Sequence, residues 1–180
     1  MIFGSPHSGG NCARLLDPVL AVFGAENCNI FSPFQAAPRF CDDCGWCKAH
    51  TECKHRDLDE FYAALEVCRV LVMVCPVYNA GFPAPVKAAL DRLQRYYSAR
   101  FFQNIRPPVK TVKLALTLFA AGQNGEKAAE YMNAALGKIY TVLNCRPASS
   151  VTASNTDKFG VSNEEVEKVR QECLKIKSVM

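Results

Sequence analysis

Five apolar residues in a row, Val70-Leu71-Val72-Met73-Val74, run up to Cys75 and Pro76. So short a run, β-branched and without polar alternation, is the pattern of a strand buried on both faces. A sheet covered on both sides needs helices to cover it, so the chain must supply helices between its strands. Residues 12–23 carry Leu15, Leu16, Val19, Leu20 and Phe23 at helical spacing. Residues 58–66 read as a helix capped by Asp57, 85–96 as a helix with Pro85 in its first turn, and 126–143 as a long helix. Residues 163–177 close the chain as a helix capped by Ser162 or Asn163. Between them fall strands at 1–3, 28–31, 70–74, 111–118 and 148–152, the last one weak. Residues 98–108 form the expected irregular insertion. Five strands interleaved with five helices predict an α/β fold. It is a doubly wound, five-stranded parallel sheet with helices on both faces, in one domain over residues 1–180. The first strand is short, because only three residues precede the loop at Gly4, fewer than a strand normally has.

A chain of 180 residues buries enough surface to fold without a disulfide or a metal. Its formal charge of +4 is mild, and no Lys/Arg stripe is dense enough for a phosphate backbone, so nucleic acid is not the expected partner. The densest basic stretch, residues 110–113, reads as a solvated strand edge. No apolar stretch reaches membrane-spanning length and no signal peptide opens the sequence, so the expected place is the cytoplasm, away from membranes. Ten cysteines in a reducing compartment indicate metal binding, redox work or packing rather than disulfides. The six scattered ones, Cys12, Cys28, Cys68, Cys75, Cys145 and Cys173, read as small buried hydrophobes.

Ligands of such sheets bind at the loops that follow the strands. Three loops qualify. In the first, Gly4-Ser5-Pro6-His7-Ser8-Gly9-Gly10-Asn11-Cys12, backbone N–H groups can converge on a phosphate at a helix N-terminus. It is neither a Walker A loop nor a G-x-G-x-x-G fingerprint. In the second, Pro76-Val77-Tyr78-Asn79-Ala80-Gly81-Phe82, Tyr78 and Phe82 can frame a flat ring. The third, residues 119–125, is small and permits close backbone approach.

Gly4-Ser5-Pro6, Gly10-Asn11, Pro76-x-Tyr78, Pro83, Lys87 and Asp91-Arg92 together resemble the NADPH-dependent FMN reductase group of flavodoxin-like proteins, from about Phe3 to Leu143. The resemblance implies a flavodoxin-like sheet and FMN as cofactor. Ser5, His7, Ser8, Gly10, Asn11 and Cys12 would hold its phosphate. Pro76, Val77, Tyr78, Asn79, Ala80, Gly81 and Phe82 would cradle its ring, and Ala120, Ala121 and Gly122 would approach the ring's pyrimidine edge. Relatives carry a basic residue at the position of His7 and Thr at that of Cys12, so FMN affinity is expected to be somewhat weaker. Lys87 and Asp91, four apart on one helix, read as a structural pair.

Cys41-x2-Cys44-x2-Cys47-x5-Cys53 is the sharpest local signal. Four thiolates so spaced suit a [4Fe–4S] cluster or a tetrahedral zinc, and free thiols are the other reading. Asp42 and Asp43 between them disfavour further negative charge, and His50 and His55 nearby read as surface histidines. The spacing resembles that of iron–sulfur flavoproteins, a branch of the same group in which a cluster exchanges electrons with the flavin.

The resulting expectation is an oxidoreductase that passes electrons from NAD(P)H through FMN to a quinone, a flavin or another acceptor. No side chain is nominated as acid or base, because the cofactor carries the chemistry. Two alternatives stand beside it: an iron–sulfur electron carrier, and a binding module that has lost its cofactor. The expected partners are a small-molecule donor and acceptor, a redox protein such as ferredoxin, and copies of the chain itself in a homodimer or homotetramer.

Overall fold

A computed structural model describes all 180 residues. One parallel sheet runs in the order β1 (Ile2–Phe3), β2 (Val70–Pro76), β3 (Lys113–Ala120), β4 (Cys145–Ala153). The expected strand at 28–31 is reduced to a single parallel bridge between Phe31 and Ile2. Phe3 N–H donates to Phe31 C=O and Phe31 N–H to Met1 C=O, both at 2.9 Å. With that segment counted, the order is the flavodoxin-like 2-1-3-4-5. The strands therefore number four, with a bridge in place of the fifth.

β2 shows why the sheet is doubly covered. Leu71, Met73 and Cys75 enter a core with α3 (Asp59–Val67), α4 (Ala84–Asp91), α5 (Gln94–Phe101) and α6 (Gly125–Val142). Val72 and Val74 enter a second core with α1 (Asn11–Phe23) and α8 (Asn163–Ser178). Each side chain so buried contributes about 1.5–3 kcal/mol. Two short helices, α2 (Pro33–Ala36) and α7 (Thr156–Phe159), complete the chain. No helix is long and apolar enough to cross a membrane.

Several boundaries differ from expectation, each for a local reason. The expected helix over 85–96 is two, α4 and α5, separated at Arg92 and Leu93. Arg92 lies on the buried stripe with Ala89 and Tyr96, and its guanidinium turns inward. Asp57 caps nothing: α3 begins after Leu58 with no side-chain cap, and the Asp57 carboxylate binds Arg92 instead. Lys113 is no solvated edge but is buried, its ammonium donating to the carbonyls of Thr111 and Leu143. β3 is shifted by two residues from the expected 111–118, starting at Lys113 and taking in the buried Phe119 and Ala120, so the third loop shrinks to 121–124. β4 is longer than its polar sequence implied, because as an edge strand it keeps Arg146 and Pro147 exposed. At α8 the Ser162 hydroxyl accepts from Glu165 N–H while the Glu165 carboxylate accepts from Ser162 N–H, a full capping box.

β1 stays short. It pairs with Met73 and Val74 only, while β2 runs on below to Val70. Below it lies an apolar cavity of about 500 Å3 lined by Ile2, Phe31, Phe61, Leu65, Val70 and Val72. This is the end of the sheet opposite to the ligand loops.

Candidate functional site

The three loops emerge side by side at the C-terminal edge of the sheet. Val77 N–H donates to Ala120 C=O at 2.9 Å, and Ala121 N–H to Ala153 C=O at 2.8 Å, so the strand ends are in register where the loops begin.

The first loop is held tightly at its root. Gly4 N–H donates to Val74 C=O at 2.7 Å, and a side chain at Gly4 would begin 2.7 Å from Val86 Cγ2 and 3.2 Å from Cys75 Sγ. Only glycine lets the chain pass so close to α4. Ser5 is buried and its hydroxyl accepts from His7 N–H at 3.2 Å, fixing the turn. Asn11 is also spent internally. Its amide donates to Thr156 C=O at 3.0 Å and its oxygen accepts from Val161 N–H at 3.2 Å, tying the loop to the segment after β4. The Cys12 side chain packs into the core, where burial pushes its thiol up to about 12. Ser5, Asn11 and Cys12 thus shape the loop, and their side chains face inward.

What faces outward is main chain. The N–H groups of Ser8, Gly9, Asn11, Cys12 and Ala13 donate to no acceptor in the protein. Gly10 caps α1 without a side-chain bond, and no acidic residue occupies the first turn. Unpaired N–H groups and the helix dipole point the same way, toward an anion. Gly9 sharpens this. Its φ is not left-handed, and no atom stands within 4 Å of where its side chain would begin. Neither packing nor backbone geometry requires glycine there, and open space is what it leaves above the N–H groups. His7 and Ser8 are exposed at the rim.

In the second loop Tyr78 and Gly81 exchange backbone bonds of 3.0 and 2.9 Å around a turn in which Asn79 and Ala80 have positive φ. The tight turn lifts Tyr78 to 44% exposure. Phe82 does not mirror it. Its ring packs toward Phe119 at 6.5 Å, and Val77 also rests on the core, so Tyr78 alone offers a free aromatic face.

In the third loop Ala120 and Ala121 are buried. Ala121 C=O accepts from Thr156 N–H and hydroxyl, and Gly122 C=O from Asn155 N–H. A side chain at Gly125 would begin 2.1 Å from Ala121 Cβ, which fixes how abruptly α6 starts. The segment 154–161, bound to both the first and third loops, was not foreseen. It follows a strand whose polarity hid it.

The four cysteines lie apart, on the segment between α2 and α3. Cys41, Cys44, Cys47 and Cys53 line one cavity of about 30 Å3, with Arg92, Arg95 and Ser98. All ten cysteines are free. The Cys47 thiol donates to Ser98 Oγ at 3.3 Å, and Gln103 donates to the carbonyls of Cys47 and His50 at 2.9 and 2.8 Å. No three of the acidic, thiol or imidazole side chains converge closely enough to hold one metal ion. Four thiols lining one cavity are a donor set of the kind that sulfur-ligated metal centres use. Asp42 Oδ2 and His55 Nε2 lie 3.1 Å apart in hydrogen-bond contact, with His55 only 14% exposed. His50 stacks on Trp46 at 3.7 Å between ring centres. Both histidines therefore have structural partners.

The sequence profile of the family described as NADPH-dependent FMN reductase matches residues 1–156. An iron–sulfur flavoprotein of Archaeoglobus fulgidus is 30% identical over 142 residues, which is 75% of this chain and 60% of that protein. The chain thus spans about three fifths of that relative's length. Among solved structures, an NAD(P)H:quinone oxidoreductase from Methanothermobacter marburgensis superposes with a TM-score of 0.73 at 14% identity, covering 96% of this chain and 92% of its own. A flavodoxin, WrbA-like protein from Agrobacterium tumefaciens does so with a TM-score of 0.61 at 14% identity, covering 99% and 93%. At such identities these structures establish the shared fold.

Proposed function

The chain belongs to the NADPH-dependent FMN reductase family, and from that premise we propose that it binds FMN and passes electrons from NAD(P)H to a quinone, a flavin or another small acceptor. The observation that carries the reading is the run of unpartnered N–H groups from Ser8 to Ala13 under the open space at Gly9. It fits a terminal phosphate, and it stands beside the exposed Tyr78 face.

In this reading the backbone of 8–13 and the dipole of α1 hold the phosphate, with His7 and Ser8 at its rim. Residues 76–82 support the ring, with Tyr78 against it. Residues 120–122 bound the ring's far edge, their carbonyls already accepting from Val77 (Ala120), Thr156 (Ala121) and Asn155 (Gly122). Bound FMN supplies two-electron hydride chemistry together with one-electron transfer. The chain's own part is to position that group and shield it. The reading further includes a homodimer or homotetramer, a cytoplasmic location and a redox protein such as ferredoxin as a partner.

The test is a fluorescence titration with FMN, followed by NAD(P)H oxidation with and without a quinone. Saturable quenching and acceptor-dependent oxidation support the reading. A protein that neither quenches FMN nor gains thermal stability from it is the cofactor-free binding module.

A second reading is favoured by the cavity that gathers Cys41, Cys44, Cys47 and Cys53. Those four thiols would hold a [4Fe–4S] cluster, which supplies one-electron exchange. Absorption spectra of anaerobically purified protein and of Cys41→Ser separate the two. Broad absorbance under the flavin bands, lost in the variant, marks the cluster. Flavin bands alone, unchanged by the substitution, mark a simple reductase with spare thiols.

A further inference from the structure

The segment 39–57 has a single short 3-10 turn, Trp46–Lys48, and no longer element of its own. Something outside it must hold its shape. Arg92, at the break between α4 and α5, has a side chain only 1% exposed. Its guanidinium donates to Arg39 C=O at 2.8 Å and to His55 C=O at 2.7 Å. These two carbonyls bracket all four cysteines. It also meets Asp57 Oδ1 at 2.9 Å and Oδ2 at 3.4 Å, while Arg39 N–H donates to Asp57 Oδ2 at 2.9 Å. The loop's two ends are thus joined through one buried fork.

The arrangement is costly for a mere packing contact. A buried charge must be matched, and a buried unpaired N–H is penalised further. Arg92 has one carboxylate partner, Asp57, and that side chain is 34% exposed. Its Nε has no partner at all. The same residue lines the cavity of Cys41, Cys44, Cys47 and Cys53. A lysine could carry the charge there but not the fork, because an ammonium is a compact point charge.

We propose that Arg92 is the positioning residue of the four-cysteine loop and the positive charge that balances an anionic, sulfur-ligated centre within it. The second half rests on the cluster reading above. The first half does not. A thiolate-ligated centre carries net negative charge in a small cavity already flanked by Asp42 and Asp43. A fixed guanidinium beside it offsets that charge without reorganising.

The experiment uses the full chain, metal-free and after anaerobic reconstitution with ferrous iron and sulfide. It compares wild type with Arg92→Gln, Arg92→Lys and Asp57→Asn. In the metal-free protein, amide hydrogen exchange within 39–57 is expected to rise at least tenfold in Arg92→Gln, with β2 and β3 as protected as in wild type. Asp57→Asn, which keeps both carbonyl contacts, is expected to show a smaller rise in the same segment, and it carries the test if Arg92→Gln does not fold. Bound iron should fall at least fivefold in Arg92→Gln. It should recover to within about threefold of wild type in Arg92→Lys, although exchange in the loop stays raised. Iron uptake then follows the charge and loop order follows the fork. Unchanged exchange within 39–57 in both Arg92→Gln and Asp57→Asn, or a rise shared equally by β2 and β3, overturns the positioning role. Iron uptake as poor in Arg92→Lys as in Arg92→Gln overturns the charge role. Wild type that takes up no iron overturns the cluster reading and the charge role with it, while the exchange data still decide the positioning role.

Discussion

A methyl group at Gly4 has nowhere to go, because Val86 Cγ2 already stands 2.7 Å from where it would sit. Gly4→Ala is therefore expected to cost about 1–3 kcal/mol through overpacking, read as a lower urea midpoint with an unchanged slope. Gly9 is the opposite case. With no neighbour within 4 Å, Gly9→Val should change stability by less than about 0.5 kcal/mol. Its added bulk occupies the proposed phosphate space, so the Kd for FMN should rise about tenfold, or roughly 1.4 kcal/mol. Equal losses of stability in both variants would show that the loop's openness is incidental. Asp57 carries a pH dependence. Burial acts to raise its pKa, but hydrogen bonds from Arg92 and from Arg39 N–H outweigh it and hold the carboxyl below the usual carboxylate range. A depressed acid contributes stability that is complete above its unfolded pKa of about 4 and is lost as pH falls through the folded value. Hydrogen-exchange protection within 39–57, relative to the intrinsic rate at each pH, should therefore fall below about pH 4, and Asp57→Asn should remove that fall.

Elements carry the next set of consequences. The helix over 85–96 was legible from the proline in its first turn, but its break was not, because a start signal does not report a side chain that must turn inward. The signal was present all the same: Arg92 is a charge on a stripe shared with Ala89 and Tyr96. Asp57, read as a helix cap, has the residue type and position of one. Only its partner 35 residues away reveals its use. β4 was under-read for a related reason, since an edge strand with Arg146 and Pro147 exposed lacks the apolar run that announced β2. The cavity of about 500 Å3 beneath β1 leads to a test at this scale. Val70 and Leu71 have no partner on the β1 side, and Met1 stands at the mouth of the cavity. Placing three apolar β-formers before Met1 should lengthen β1 into that space. A gain of about 2 kcal/mol from cavity filling corresponds to a rise in Tm of roughly 4–8 °C for a chain of this size. An unchanged Tm would mean that the cavity does not accept a strand.

At the scale of the molecule, alternation of apolar runs with helical periods was enough to give a parallel sheet covered on both faces, while its flavodoxin-like form was implied by the family resemblance. The loops that would bind a ligand were legible as positions, since every strand must end in one. Which atoms face outward was not, because Ser5, Asn11 and Cys12 are chemically plausible phosphate donors whose side chains the fold turns inward. What remains for the ligand is backbone, and backbone is invisible to composition. This sets the last prediction. If N–H groups and the dipole of α1 provide the grip, the phosphate of FMN should contribute a large share of its affinity. A ligand that binds only the native state at one hundred times its Kd stabilises by about 2.7 kcal/mol. For a chain of this size that is a rise in Tm of roughly 5–10 °C. Riboflavin, with the same ring and no phosphate, should give less than half that shift at equal concentration. Salt should reduce the FMN shift only modestly, because the contacts are to a helix end and partly screened by protein. Equal shifts from both ligands would move the binding site away from the first loop and leave its free N–H groups without a role. No shift from either would leave the scaffold of a flavin enzyme without its flavin.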